Sequence, residues 1–282
     1  MVWYSLHRFF VAPNILIRSE ETFSMTIDTD FHSHIAPSSA EQIISVAKEK
    51  GMRVLGVSEH IFQMNEVRPM LPHMPLEGTM FSFAEYAETV RITAQQARFD
   101  ARLGLEVDFI PGKNEQIQAF LRRDDWDFLI GSVHEVDGLL FEAQRKWKRE
   151  EGERHWLRYF ALLYEAISCR VFSLVSHPVR MRVENAFLPP AFDDELERLA
   201  AQATRCNVAL EINGFDVLHY PSLVRRLAKA CALHNTPISV GSDAHEPLEV
   251  AGAHQLSEEI LREAGINRIR TWKKMMPEEY GF

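Results

Sequence analysis

The chain has 282 residues, of which 46% are hydrophobic and 25% charged, and carries a formal net charge of −9. That is the composition of a soluble globular protein long enough for one α/β barrel of roughly 200–250 residues, and its acidic balance argues against a surface built to hold a long nucleic-acid backbone. No apolar run approaches the ~20 residues that span a bilayer, and the three scattered cysteines, Cys169, Cys206 and Cys231, have no framework spacing and indicate reduced thiols in a cytoplasmic protein.

Met1 to Ser24 is interrupted by His7, Arg8, Pro13, Asn14 and Arg18 and lacks a signal-peptide core. It is expected to be an N-terminal extension outside the fold, with Met25 available as an alternative start and the folded domain spanning 25–282. From Met25 the pattern alternates between short apolar runs and amphipathic helices. The first strand, Met25 to Asp30, ends in Asp30-Phe31-His32-Ser33-His34. Side chains alternate along a strand, so His32 and His34 point to the same side and can grip one metal ion. Ser38 and Glu41 read as a capping box for a helix with Ala40, Ile43, Ile44 and Ala47 on its apolar face, ended by Gly51. Val54–Val57 is the second strand and runs into Ser58-Glu59-His60. Residues 61–81 carry Pro69, Pro72 and Pro75, which excludes one continuous helix and predicts a long loop beside the candidate site.

Ser82 and Glu85 cap a helix to about Phe99. Ala101 to Val107 reads as one third strand, followed by a helix from about Lys113 to Arg122. Phe128 to Ile130 is the fourth strand and leads to Gly131-Ser132-Val133-His134. Residues 135–150 read as a polar loop, and Arg145 to Arg149, followed by Glu150, Glu151 and Glu153, as a solvated face rather than a basic patch. A long helix from Gly152 to Cys169 precedes the fifth strand, Val171 to Val175, which ends in Ser176-His177-Pro178. The helix Asp193 to Cys206 precedes the sixth strand, Val208 to Leu210, ending in Glu211. Pro221 opens the next helix. Ile238 to Val240 is the seventh strand and ends in Gly241-Ser242-Asp243-Ala244-His245; a helix from about Pro247 to Ala264 and a short tail follow.

Seven strand-then-helix units without a linker predict a parallel sheet closed as a (β/α)7 barrel in a single domain. Active-site groups of such barrels lie at the C-terminal strand ends. Six of the twelve histidines, His32, His34, His60, His134, His177 and His245, fall there, with Glu106, Glu211 and Asp243. Taken singly, His60 or His177 fits a hydrogen-bonded core histidine. Together they place many carboxylates and imidazoles at one mouth, which divalent cations would neutralise.

The motifs D-F-H-S-H, S-E-H, G-L-E-V-D, G-S-V-H, S-H-P, E-I-N and G-S-D-A-H, in this order, resemble the PHP (polymerase and histidinol phosphatase) superfamily from about Thr26 to Phe282. Gly131 to His134 with Asp137-Gly138, and Tyr220-Pro221-Ser222, resemble its stand-alone histidinol phosphatases. The resemblance implies a distorted (β/α)7 barrel with two or three divalent ions (Zn, Mn or Fe). His32, His34, Glu106 and Asp243 would hold one; Glu106 would bridge to a second held by His134 and His177; His60 and His245 would belong to a third. Two metals about 3.5–4 Å apart can hold a bridging hydroxide for in-line attack on a phosphate monoester, with His245, if it is not a ligand, placed to protonate the leaving alkoxide.

Arg180 and Arg182 are candidates to bind the phosphate, with pairing to Glu184 as the plainer alternative; Arg68 and His73 could line the mouth. Glu59, Glu66 and Asp108 are candidates to meet a substrate ammonium group. The implied function is histidinol-phosphate hydrolysis in histidine biosynthesis, on a small phosphate ester, with no long nucleic acid and no membrane as partner. Nucleotides or short oligonucleotides are the alternative substrates; an amidohydrolase and a non-catalytic metal-binding barrel are the other readings. One position departs from the family: where many relatives carry a third histidine, this chain has Ala40. His60 and His245 would then form a two-imidazole site binding a third ion loosely, unless a neighbour such as Glu41, Glu66 or His73 substitutes.

Overall fold

The computed structural model describes residues 26–140 and 146–282. The expected extension at 1–24 lies outside the described residues, as does Arg145 of the mixed-charge stretch. Seven positions around the chain carry parallel strands. In chain order they are β1 (Thr29–Asp30), β2 (Val54–Val57), β3 (Ala101–Leu103) with β4 (Glu106–Asp108), β5 (Ile130–Ser132), β8 (Leu174–Val175), β9 (Ala209–Asn213) and β10 (Ile238–Gly241). The short hairpin β6 (Glu135–Val136) and β7 (Leu139–Leu140) sits between β5 and β8.

Three strands pair in the order β1-β2-β3 and five in the order β10-β9-β8-β5-β4, all parallel. Backbone hydrogen bonds join the two sheets at both seams. Phe31 N donates to Val240 O at 2.9 Å and Asp243 N to His32 O at 2.8 Å; on the other side Gly104 N donates to Val57 O at 2.7 Å and Glu106 N to Glu59 O at 2.9 Å. The seven positions therefore follow one another round a ring. The expected third strand is split, because β3 pairs with β2 while β4 pairs with β5; the chain changes partner at Gly104-Leu105.

Helices pack outside the ring through the faces their periodicity predicts. Ile43, Ile44 and Ala47 of α1 (Ala40–Glu49) are buried, as are Tyr86 and Val90 of α2 (Phe83–Ala97) and Ile117 of α3 (Asn114–Leu121). The long α4 (Arg149–Ser168) buries Trp156, Tyr159, Phe160, Leu163 and Ile167, starting earlier than expected. Leu196 and Leu199 of α5 (Phe192–Cys206) meet the core, as do Leu223 and Leu227 of α7 (Pro221–His234), which follows the short α6 (Gly214–His219). The last helix, α8 (His254–Glu263), is preceded by a separate 3₁₀ turn at Pro247–Glu249, so the expected helix from Pro247 is interrupted. Inside the ring, Phe31, Val54, Phe128, Ile130, Leu174 and Ala209 form a second cluster with Trp272.

Local signals explain most differences from the sequence reading. The Ser82–Glu85 capping box forms as expected. At α1 the cap is Ser39, whose side chain accepts from Gln42 N at 3.2 Å, rather than Ser38; starting the helix at Ala40 turns Ala40, Ile43, Ile44 and Ala47 inward together. The stretch expected as loop at 135–150 contains β6 and β7, joined by Asp137 (φ 51°) and Gly138 (φ 87°), the residue pair suited to a two-residue hairpin turn. The expected tail is an antiparallel hairpin, β11 (Arg268–Lys273) and β12 (Met276–Gly281). Its turn is made by Lys274 and Met275, both at positive φ, and is held by Asp127, whose side chain accepts from Lys274 N at 2.9 Å and whose carbonyl accepts from Met275 N at 2.9 Å.

That hairpin seals the interior cluster: Trp272 is 3% exposed and its ring lies 5.8 Å from that of Phe31. Trp272→Ala is expected to lower unfolding free energy by about 3–5 kcal/mol, the usual cost of truncating a buried large aromatic residue. Urea denaturation measures this, and a loss under about 1 kcal/mol would show that the hairpin contributes no core.

Candidate metal centre

Every expected ligand sits where a parallel strand runs out. His32 and His34 follow β1, His60 follows β2, Glu106 opens β4, His134 follows β5, His177 follows β8, and Asp243 and His245 follow β10. All eight are at most 8% exposed and converge on one place. Glu106 is at its centre. Its Oε1 lies 3.2 Å from His177 Nε2, 3.4 Å from His32 Nε2 and 3.5 Å from His134 Nε2; its Oε2 lies 2.5 Å from His60 Nδ1 and 3.7 Å from His34 Nε2. Ser132 Oγ donates to Oε1 at 2.7 Å. Asp243 Oδ1 approaches His34 Nε2 at 3.3 Å and His32 Nε2 at 3.4 Å. Three groupings bring donor atoms within 4.8 Å of one another: His32, His34 and Glu106; His60, Glu106 and His134; His34, His60 and His245.

Outer partners fix which nitrogen of each ring faces inward. A carboxylate can only accept, so the His32 Nδ1–H donates to Glu211 Oε1 at 2.7 Å and the His134 Nδ1–H to Asp108 Oδ1 at 2.8 Å. Each ring then turns its Nε2 toward Glu106, the arrangement that orients metal-ligating histidines. His245 Nδ1 likewise meets the Asp243 carbonyl at 3.0 Å. Glu59 sits behind His34, 3.5 Å from its Nδ1, and accepts from the backbone N–H groups of Ile35, Ala36 and His60. Asp30 ties strand ends together, accepting from Ser242 N at 2.8 Å and Ala251 N at 3.0 Å.

Of the groups expected to meet substrate, Arg180 is 2% exposed and turned inward. Its Nη2 donates to Asp243 Oδ2 at 2.6 Å and Asn213 Oδ1 at 2.8 Å, and its Nε to Asp216 Oδ1 at 2.9 Å. Its guanidinium is thus engaged with Asp243, Asn213 and Asp216. Arg182 is half-buried, 5.3 Å above the Tyr220 ring. Glu59 and Asp108 are engaged as described, with Asp108 Oδ2 making no hydrogen bond among the described residues, and Glu66 accepts from Phe83 N. Glu77, which no motif singled out, is buried with its Oε2 3.1 Å from His245 Nε2.

The electrostatics favour cations. Burial disfavours the charged carboxylates, yet the rings of His60, His32 and His134 hold Glu106 well below the usual range, and His32 with Arg180 does the same for Asp243. Burial favours neutral imidazoles, but Glu211, Asp243 and Glu106 outweigh it at His32 and raise it well above its usual value, while Glu77, Asp243 and Glu249 lift His245 to about 10. Burial and the Arg180 charge push His177 down to about 4, leaving it a neutral donor. A field that pulls protons onto buried imidazoles attracts any cation of suitable size. His32 Nε2 and Glu106 Oε2 make no hydrogen bond among the described residues, and imidazole with carboxylate is a donor set for divalent transition metals. The residues present fit such ions.

Two ligand positions adopt backbone conformations that L-residues rarely take: His177 at φ 33° and Asp243 at φ 59°. Strain of this kind persists where surroundings over-determine it. His177 N donates to Glu211 Oε2 at 2.8 Å, and Asp243 is gripped by Arg180 and by Asn213 Nδ2 at 3.2 Å.

Comparison with known proteins follows the same lines. The family described as the PHP domain matches residues 27–214. The probable histidinol-phosphatase of Deinococcus radiodurans is 28% identical over 273 residues, covering 90% of this chain and all of that protein. The crystal structure of histidinol phosphate phosphatase from Lactococcus lactis, complexed with zinc, L-histidinol and phosphate, superposes with a TM-score of 0.72 at 16% identity, over 89% of this chain and 99% of that one. Archaeal ribonuclease P with mature tRNA includes a chain that matches with a TM-score of 0.50 at 12% identity, over 84% and 87%. Both structural likenesses concern the fold.

The closest backbone approach to the cluster is at Gly241, where an added Cβ would lie 2.3 Å from His32 Cβ and 2.5 Å from Glu211 Oε1. Gly241→Ala must displace His32 or its outer partner. Overpacking of this kind costs about 1–3 kcal/mol, and a disturbed outer partner lowers metal affinity by about 10–100-fold. Divalent-metal titration by calorimetry beside thermal unfolding tests both; unchanged metal affinity would show that the His32–Glu211 contact does not organise the centre.

Proposed function

This chain belongs to the PHP domain family, and from that premise we propose that it is a metal-dependent phosphomonoesterase that hydrolyses histidinol phosphate to histidinol and phosphate, a step of histidine biosynthesis. The observation that carries the reading is Glu106, one buried carboxylate shared by five imidazoles from four strand ends. The substrate is supported by the Deinococcus relative, which covers nearly the whole chain, and by the ligands of the Lactococcus structure.

His32, His34, Glu106 and Asp243 would hold one ion, Glu106 with His134 and His177 a second, and His60 with His245 would contribute to a third. Zinc, manganese and iron suit these donors. Such ions, when bound, draw charge from phosphoryl oxygens and acidify water at neutral pH. The chain's own part is orientation. Glu211 and Asp108 hold the Nδ1 sides of His32 and His134, so that each ring presents Nε2 inward as the nitrogen a metal would take. Ser132 anchors Glu106. Arg180 is a positioning group for Asp243, which leaves Arg182, half-buried over the Tyr220 ring, as the remaining candidate to meet the phosphate. Where His245 keeps the proton its surroundings favour, it is the group to pass that proton to the leaving alkoxide. The three cysteines are free, as suits a reducing compartment such as the cytoplasm. Among the described residues, no helix is long and apolar enough to cross a membrane.

Two measurements test the reading. In a panel of phosphate esters, histidinol phosphate should exceed mononucleotides in kcat/KM by about tenfold or more, about 1.4 kcal/mol of transition-state preference; the reverse order would transfer the assignment to a nucleotide phosphatase. Chelation should abolish turnover, and Glu106→Ala should cost more than the roughly 10–100-fold typical of an outer partner. An active protein without metal would end the proposal.

A further inference from the structure

Ala40 leaves the third grouping one donor short of the three protein ligands usual at a catalytic zinc site. None of the substitutes suggested by sequence proximity fills the gap. Glu41 is exposed on α1, Glu66 is turned to the backbone N–H of Phe83, and His73 is an exposed residue paired with Glu135.

Glu77 is in the right place. It is 4% exposed, lies in the loop between the 3₁₀ turn Arg68–Met70 and α2, and its Oε2 makes no hydrogen bond among the described residues. That oxygen lies 3.1 Å from His245 Nε2, which in turn lies 3.4 Å from His60 Nε2. The Glu77 backbone is fastened on both sides by one buried side chain: Gln63 Nε2 donates to Glu77 O, and Glu77 N donates to Gln63 Oε1 at 3.3 Å. Gln63 belongs to the 3₁₀ turn Ile61–Gln63 that directly follows His60. The turn that carries one imidazole therefore also sets the position of the carboxylate.

We propose that Glu77 is the third protein ligand of the His60–His245 ion, taking the part of the histidine that Ala40 replaces, with Gln63 as its positioning residue. This rests on the metal-dependent reading above and deepens it. A carboxylate gives this ion one more negative charge than an imidazole would, and the ion is held tightly rather than loosely.

The experiment uses the full chain, stripped of metal by dialysis against chelator, then titrated with Zn²⁺ by calorimetry and checked by elemental analysis after gel filtration. The wild-type chain is expected to retain three ions, Glu77→Gln and Glu77→Ala two, with affinity for the third reduced at least tenfold. Glu77→His should restore three. Circular dichroism establishes that each variant is folded, and Glu77→Gln, nearly isosteric, serves if the alanine variant is not. A wild-type chain that binds two ions, or Glu77→Gln and Glu77→Ala chains that bind three as tightly as wild type, would overturn the role of Glu77 and leave the metal-dependent reading standing. A wild-type chain that binds none would overturn that reading itself.

Discussion

The constraint on which the structure depends is the burial of Glu106 among imidazoles. Unpaired buried charges cost several kcal/mol each, and the barrel mouth gathers eight ionisable side chains at most 8% exposed. The solution has two layers. Inner nitrogens and oxygens face one another, and outer acceptors take the protons on the far sides of the rings: Glu211 for His32, Asp108 for His134, the Asp243 carbonyl for His245. With those three rings fastened on their outer sides, their inner nitrogens converge with the carboxylates on a region whose field favours cations. The outer layer therefore orients His32, His134 and His245 as donors.

Glu211 links this chemistry to the backbone. One carboxylate orients the His32 ring, accepts from the backbone of His177, and accepts from Asn213 Nδ2 at 3.0 Å. The strained φ at His177 and Asp243 costs of order 1–3 kcal/mol each. That cost is offset where Glu211 holds one residue and Arg180 with Asn213 holds the other. Strand β9 thus supplies no inner-layer donor yet sets two of them, and Gly241 on the neighbouring β10 leaves room for both Glu211 and His32.

The inner layer was legible in the sequence because its members lie at strand ends, two after β1, two after β10, and one each after β2, β5 and β8, with Glu106 between β3 and the rest of β4, and the polarity of parallel barrels fixes where such residues go. Positions set by tertiary contacts were not. Lys274 and Met275 form a hairpin turn without Gly or Asn because Asp127, far away in sequence, accepts both of their N–H groups. The Asp137-Gly138 turn, in contrast, carried the ordinary hairpin signal and only its polar surroundings suggested loop. Arg180 reads as a phosphate grip from its place after His177; only the fold brings Asp216, Asn213 and Asp243 around it. Glu77 lies in a proline-rich stretch with no periodicity, so nothing local distinguishes it from Glu66.

That proline-rich stretch runs on directly from His60, and under the proposed function it is the candidate wall for the alcohol. A cluster of cations recognises the phosphoryl charge, which is common to all monoesters, so differential binding of the alcohol needs contacts made elsewhere. The 61–81 segment is a built wall rather than a loose loop. It has 3₁₀ turns at Ile61–Gln63 and Arg68–Met70, a bridge between Met64 and Phe81, and an Arg68 side chain donating to Met74 O and Pro72 O. Lys113 Nζ donates to Met70 O at 2.8 Å, and His73 meets Glu135 of the β6–β7 hairpin at 2.5 Å. Apart from Gln63 and Glu77, which fasten to each other beside His60 and His245, these ties involve no donor of the cluster. Side chains elsewhere on the wall can therefore change while the inner layer and its outer partners stay in register.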